Sequence, residues 1–207
     1  MGFNKIILKA VLSTLAAIAI LCTALALLLV YLYPATVMQL SYDLGMDEAS
    51  IQHANTAYER SSEKEIYYIA FATEVAIGLN DSESIETCAD KLIKNSNFKA
   101  YCAEKDKTSN VAGEYAQYYY GKLYLAKYNN GRIQEAIDGA FDTLEGGFPA
   151  NNAVGVVLLA AINHSDVNSI QQISEKLSAA SIDEAALTDA EKTYLGQVRS
   201  ILQTQAD

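Results

Sequence analysis

The sequence predicts an all-α protein in which one N-terminal transmembrane helix is followed by a domain of helical hairpins. Residues 10–33 carry no charged side chain. In the rest of the chain, apolar residues recur at spacings of three and four, and the 207 residues include only two prolines, Pro34 and Pro149. This spacing places apolar side chains on one face of an α-helix, and scarce proline leaves helices uninterrupted.

The uncharged segment 10–33 is long enough to cross a bilayer. At about 1.5 Å per residue, its 24 residues form a helix of roughly 36 Å, against a hydrocarbon core of about 30 Å. Signal peptides have shorter apolar regions of about 7–15 residues, so we expect a retained anchor, with cleavage as the alternative. Residues 1–33 then form a short stub and a lipid-contacting span, and residues 34–207 form one domain.

Charge sets the expected orientation and the expected partner. Lys5 and Lys9 precede the apolar segment, whereas the first charges after it are acidic. Positive charge stays on the cytoplasmic side, so we expect a cytoplasmic N-terminus and an extracytoplasmic domain. The part after residue 33 holds all 25 acidic residues but 13 of the 15 basic ones, a formal charge of −12. Such a surface repels nucleic acid and favours a neutral or basic protein partner.

Short segments rich in Gly, Asn, Ser and Asp predict the helix boundaries. They lie at residues 44–47, 60–62, 80–82, 95–97, 129–131, 146–149, 164–166 and 180–183. Helix starts are predicted by N-cap residues and by capping boxes, in which a hydroxyl and a carboxylate three residues later each accept a backbone N–H bond. The predicted N-caps are Asp47, Asp81 and Asp166, and the predicted capping boxes are Ser62 with Glu65 and Thr188 with Glu191.

Aligning the turns at 80–81, 131–132 and 165–166 gives three helix–turn–helix units. Their turns are about 50 and 34 residues apart, and the second interval matches a helical-hairpin repeat. The middle unit resembles a tetratricopeptide repeat, with Tyr124 standing where that family has a glycine. The matching positions are Tyr120, Leu123, Gly131, Ala136 and Pro149. The resemblance covers roughly residues 62–180 and implies an α-solenoid of three to four hairpins; a generic helical bundle is the alternative.

The resemblance also implies a binding surface. In that family the first helix of each hairpin lines a concave groove for a partner segment. The positions that would face this groove are Tyr67, Ala70, Glu74, Tyr118, Gly121, Leu125, Tyr128, Asn129, Asn152, Leu159 and Asn163. We therefore expect a membrane-anchored scaffold or adaptor that binds another protein or assembles into an envelope complex.

Motifs for catalysis are absent from the sequence. It contains no metal-binding HExxH, no G-x-S-x-G elbow, no phosphate loop and no dinucleotide fingerprint, and its two histidines, His53 and His164, lie far apart. Asp138 and Asp142 are one helical turn apart and offer a candidate carboxylate pair, although an exposed helix face is by far the more common reason for this spacing. We expect no catalytic residue, no metal and no cofactor. The alternatives are an envelope enzyme with an unrecognised carboxylate site and a ligand-sensing extracytoplasmic domain.

The chain has three cysteines. Cys22 lies in the anchor, as a small apolar residue or a palmitoylation candidate. Cys88 and Cys102 are 14 residues apart in the following domain. In an exported domain they are a candidate disulfide, worth about 3 kcal/mol for a loop of that length. Two buried free thiols are the alternative.

Overall fold

The computed structural model describes residues 2–62, 64–108 and 113–206, and in these residues the chain is helical, with no strand. The elements are α1 (Gly2–Leu32), α2 (Pro34–Asp43), α3 (Asp47–Arg60), α4 (Ile66–Leu79), α5 (Ser82–Lys94), α6 (Phe98–Asp106), α7 (Glu114–Asn129), α8 (Ile133–Asp142), α9 (Ala153–Asn163), α10 (Val167–Ala179) and α11 (Asp189–Ala206). The all-α class is confirmed, and each of the eight predicted breaks lies at a helix boundary.

The first of these helices is long and apolar enough to span a membrane. Its stretch Leu8–Leu32 has 25 residues, a mean hydropathy of 2.7 and no buried residue in its most apolar window. The predicted span ended one residue later, at Tyr33. That residue is the only one between α1 and α2, and it continues the hydrogen bonding: its N–H donates to the Leu29 carbonyl (2.8 Å) and its carbonyl accepts from Val37 (3.1 Å). The orientation, which depends on Lys9 and on Lys5, whose side chain lies outside the described residues, stays a prediction.

Arg60, the last residue of α3, contacts the C-terminal end of α1. Its guanidinium carbon lies 4.5 Å from the centroid of the Tyr31 ring, and its Nη1 donates to the Tyr31 carbonyl oxygen. A cation over an aromatic face and beside the carbonyl end of a helix is favoured electrostatically. The first hairpin is therefore held against α1 by the Arg60 side chain as well as by the backbone connection through Tyr33.

Helices after α1 pack mainly against their neighbours in sequence. Hairpins form from α2 with α3, α4 with α5, α7 with α8, and α9 with α10. Successive hairpins then meet through the pairs α3–α4, α5–α7 and α7–α9, while α6 lies between the second and third hairpins and packs against α7. Near-neighbour packing of this kind is the contact pattern that repeated hairpins produce.

Two buried clusters form the core, and α7 connects them. The first draws on α3 to α7 and includes Ile69, Leu92 and Tyr119. The second draws on α7 to α11 and includes Phe148 and Leu158. The Tyr120 side chain on α7 packs against both clusters. The two halves of the domain therefore share one helix and one continuous apolar interior.

Three of the five predicted helix starts are confirmed. Asp81 accepts from the N–H groups of Glu83 (3.2 Å) and Ser84 (3.3 Å), and Asp166 accepts from Ser169 N–H (3.2 Å). In the Thr188–Glu191 capping box, Glu191 N–H donates to Thr188 Oγ1 (3.3 Å) and Thr188 N–H donates to Glu191 Oε2 (2.7 Å). Each of these side chains satisfies a backbone donor that the helix itself leaves unpaired.

The other two predicted starts are wrong. Asp47 is the first residue of α3 rather than its cap, and the preceding Met46 makes no side-chain cap bond. The Ser62–Glu65 capping box does not form either: Glu65 caps α4 with its backbone alone, and its N–H donates to Ser61 Oγ (2.9 Å). At α3 the helix begins one residue before the predicted position, and at α4 it begins three residues after it. Either shift changes which side chain reaches the free N–H groups.

One helix boundary was missed by the sequence analysis. Between α6 and α7 the Asp106 carboxylate accepts from the N–H groups of Gly113 (2.8 Å) and Tyr115 (3.1 Å). Gly113 has φ +78°, a conformation that glycine adopts without strain. These hydrogen bonds join residues seven and nine positions apart, so no sequence pattern within one helical turn predicts them.

Tyr124 replaces the glycine of the repeat motif, and the structure places a glycine on the facing helix instead. Gly139 of α8 lies so close to the Tyr124 ring that an added Cβ would be 2.6 Å from Tyr Cζ. Such a separation is far inside van der Waals contact. In this hairpin the large residue is on the first helix and the small one on the second.

Candidate partner-binding surface

The first helices of successive hairpins line two cavities. The first, of about 700 Å³, lies between α2 and α4 and is called here the acidic cavity. Its lining residues are Tyr42, Asp43, Asp47, Phe71, Glu74, Val75, Gly78 and Leu79. Three of them are carboxylates and none is basic. The Tyr42 and Phe71 rings meet edge to face, with centroids 5.3 Å apart.

The second cavity, of about 290 Å³, lies between α7 and α9 and is called here the apolar cavity. It is lined by Glu114, Gln117, Tyr118, Gly121, Lys122, Leu125, Asn151 and Val156. A Cβ on Gly121 would come within 3.2 Å of Val156 Cγ2, so glycine permits the close approach of α7 and α9 at this point. Gln117 Oε1 is buried and accepts no hydrogen bond from the residues that the structure describes.

A carboxylate and two tyrosines lie between the cavities. Tyr119 Oη donates to Glu74 Oε1 (2.6 Å), and the Tyr118 and Tyr119 ring centroids are 5.2 Å apart. Burial, followed by the negative charge of Glu74, raises the pKa of Tyr118 to about 12. Burial and the bond to Glu74 raise the pKa of Tyr119 as well. Both phenols are therefore protonated at neutral pH and act as hydrogen-bond donors.

Several predicted groove residues are exposed. The apolar cavity brings together Tyr118, Leu125 and Gly121, of which Tyr118 is exposed and Leu125 is half-buried, and Glu74 lines the acidic cavity. The exposed residues Tyr67, Asn129, Leu159 and Asn163 line neither cavity, and Tyr67 packs its ring edge-on against Tyr101 at 6.0 Å. Of the predicted groove residues, Glu74, Tyr118, Gly121 and Leu125 line these two cavities.

The prediction that Tyr128 and Asn152 face the groove is wrong. Tyr128 is 5% exposed and donates from its hydroxyl to Asp166 Oδ2 (2.7 Å). Asn152 is fully buried, caps α9 by accepting from Gly155 N–H (3.1 Å), and donates to the Pro149 carbonyl (2.9 Å). Both side chains hold turns together. Ala70, expected on the same face, is also buried in the core.

The hydrogen bonds to Asp166 make part of the free energy of unfolding depend on pH. Hydrogen bonds from Ser169 and then from Tyr128 hold the pKa of Asp166 below its usual range. A lowered folded-state pKa stabilises the fold above the unfolded value of about 4, and that contribution is lost as pH falls through the folded pKa.

We therefore expect Asp166→Asn to lower the thermal midpoint of the full chain in detergent at pH 6, with the difference from wild type shrinking towards pH 3. Circular dichroism at 222 nm measures both midpoints. Glu175→Gln, on an exposed position of the same helix, controls for the change in net charge. A difference that stays constant across this pH range contradicts the assignment.

Sequence reasoning missed Gln117, Lys122 and Val156 in the apolar cavity, and Asp43 and Phe71 in the acidic cavity. One signal was available: Gln117, Gly121 and Leu125 are spaced by four, so they share a face of α7. Lys122 lies on the same helix, whereas Val156, Asp43 and Phe71 come from other helices, and local spacing does not connect them.

The candidate carboxylate pair is not formed. Asp138 instead makes an ion pair with Lys176 Nζ (2.8 Å) and accepts from Gln134 (3.0 Å), which together lower its pKa. Within residues 2–62, 64–108 and 113–206, no group of three or more His, Cys, Asp or Glu side chains is arranged to hold a metal ion.

Cys88 and Cys102 are buried free thiols in this structure, one of the two alternatives that the sequence leaves open. Cys88 Sγ accepts from Asn55 Nδ2 (3.4 Å). Burial raises the pKa of Cys88, and it raises that of Cys102 to about 12. Because the thiolate is the reactive form, both groups are poor nucleophiles at neutral pH.

No protein-family model matches the chain, and neither a curated protein nor a solved structure is significantly similar to it.

Proposed function

We propose that the chain is a membrane-anchored adaptor whose helical hairpins form a tetratricopeptide-like solenoid and bind a partner protein or a subunit of an envelope complex. In this proposal α1 crosses the bilayer with the N-terminus in the cytoplasm, and the domain from residue 34 onward is extracytoplasmic. The order of hairpin contacts and the 34-residue spacing of two turns support the solenoid.

The observation that carries the binding role is the pair of cavities along the first helices of the hairpins. Both are open to solvent. They combine aromatic surface, apolar floor and hydrogen-bonding groups, which is the composition that protein recognition uses. The three carboxylates of the acidic cavity line an open surface, whereas the alternative of a carboxylate enzyme requires a closed pocket around its ionised groups.

Site-specific photocrosslinking in the native membrane tests this role. A photoreactive phenylalanine derivative replaces Tyr118 or Leu125 on the proposed surface, and Lys192 or Gln197 on the exposed side of α11 as matched controls. We expect one defined protein adduct from the first two positions and none from the controls. Adducts of equal yield from all four positions, or none from 118 and 125, would overturn the proposal.

A further inference from the structure

Resting on the proposed function, we propose that the partner segment is a cationic and aliphatic one. It places a Lys or Arg side chain in the acidic cavity between α2 and α4, and an aliphatic side chain in the apolar cavity between α7 and α9. The segment is thereby defined by its chemistry and by its direction along the surface.

Charge complementarity assigns the cationic end. Asp43, Asp47 and Glu74 line the acidic cavity with no basic side chain among the lining residues. Asp43 Oδ1 accepts one hydrogen bond, from Gln39 (2.9 Å), and Glu74 accepts from Tyr119. A carboxylate accepts about four hydrogen bonds, so each retains capacity for an ammonium or guanidinium donor. The Tyr42 and Phe71 rings add aromatic surface, on which cations are also favoured.

The composition of the apolar cavity assigns the aliphatic end. Gly121, Leu125 and Val156 supply an apolar surface. The volume of about 290 Å³ has room for an aliphatic side chain together with a length of peptide backbone. Removing an aliphatic side chain from water into such a surface favours association.

The distance between the cavities sets the spacing of the two side chains. Packed helices lie about 8–10 Å apart, and the cavities are separated by roughly two such steps, about 20 Å. An extended chain covers about 3.3 Å per residue, so about six residues separate the cationic and aliphatic side chains. Glu74 of the acidic cavity and Tyr118 of the apolar cavity are linked through the buried Tyr119, which donates to Glu74 and packs its ring against Tyr118.

Peptide binding to the full-length protein in detergent micelles tests the inference. The probe is a fluorescein-labelled 12-residue peptide with two arginines and two leucines separated by six residues. Its counterparts carry glutamate for arginine or serine for leucine. Fluorescence anisotropy gives the dissociation constants, and we expect each counterpart to bind at least tenfold more weakly.

A variant of the protein tests whether the peptide arginines bind in the acidic cavity. Asp43→Asn, Asp47→Asn and Glu74→Gln together keep the shapes and the Tyr119 and Gln39 bonds while removing three charges. We expect this variant to bind the arginine peptide at least tenfold more weakly and with a flatter dependence on salt. The control removes three charges elsewhere, with Asp142→Asn, Glu175→Gln and Asp189→Asn, and is expected to stay within twofold of wild type.

The inference is overturned if the arginine–leucine peptide does not bind, if the glutamate or serine counterpart binds equally well, or if the control variant loses as much affinity as the cavity variant. Such a result alongside position-specific crosslinks at 118 and 125 removes the assigned chemistry and leaves the adaptor role standing. Failure of the crosslinking itself removes the adaptor role.

Discussion

Replacing Leu21 and Leu25 with arginine is expected to release the protein from the membrane fraction. Both leucines lie in the 25-residue apolar stretch of α1 and are exposed. On the scale for insertion at the centre of a span, each change from leucine to arginine costs about 3–4 kcal/mol. Two such changes exceed what the remaining apolar residues supply. The readout is the fraction of protein that resists extraction at alkaline pH.

The matched control is Leu21→Ala with Leu25→Ala, which removes the same side chains without adding charge. This variant is expected to remain in the membrane pellet. If the arginine variant also resists extraction at the wild-type level, then α1 is not the anchor, and the proposed arrangement fails with it.

The second large effect is expected at the contact between α7 and α8. Gly139→Ala places a methyl group 2.6 Å from Tyr124 Cζ, so the ring must move within a half-buried environment. Overpacking of this kind costs about 1–3 kcal/mol. We expect the free energy of unfolding of the full chain in detergent to fall by this amount. Urea denaturation followed by circular dichroism measures it.

A control and a rescue separate packing from helix propensity. Gly196 lies in α11 with nothing within 4 Å of an added Cβ, so Gly196→Ala is expected to stabilise the protein by about 0.5–1 kcal/mol. In a Tyr124→Leu background, Gly139→Ala should cost much less than in the wild type, because the ring that it meets is gone. Equal costs in both backgrounds would refute the contact.

The parts of the fold that depend on local chemistry were predictable. Helix boundaries follow from Gly, Asn, Ser and Asp within one turn, and the caps at Asp81 and Asp166 act over two or three residues. Their physics is contained in short stretches of sequence. The two wrong starts, at Asp47 and Ser62, come from shifts of one and three residues that local patterns do not resolve.

The binding surface was predictable only in part, because it depends on contacts between residues that are far apart in the sequence. Tyr128 faces inward because of Asp166, which is 38 residues away, and Tyr119 is oriented by Glu74, 45 residues away. Both tyrosines lie in a helix with tyrosine on all its faces, so spacing alone does not separate core from surface. Gln117 illustrates the same point, since only the packing around α7 reveals that its buried oxygen has no donor among the described residues.

The single residue between α1 and α2 determines how far the domain reaches. With Tyr33 as the whole tether, and Arg60 clamped on Tyr31, no spacer lifts the hairpins off the bilayer surface. Helices of 10–16 residues extend about 15–24 Å, so the hairpin tips stay within a few nanometres of the headgroups if α1 spans the membrane. A partner anchored in the same membrane would then meet this surface by a two-dimensional search, at a raised effective concentration.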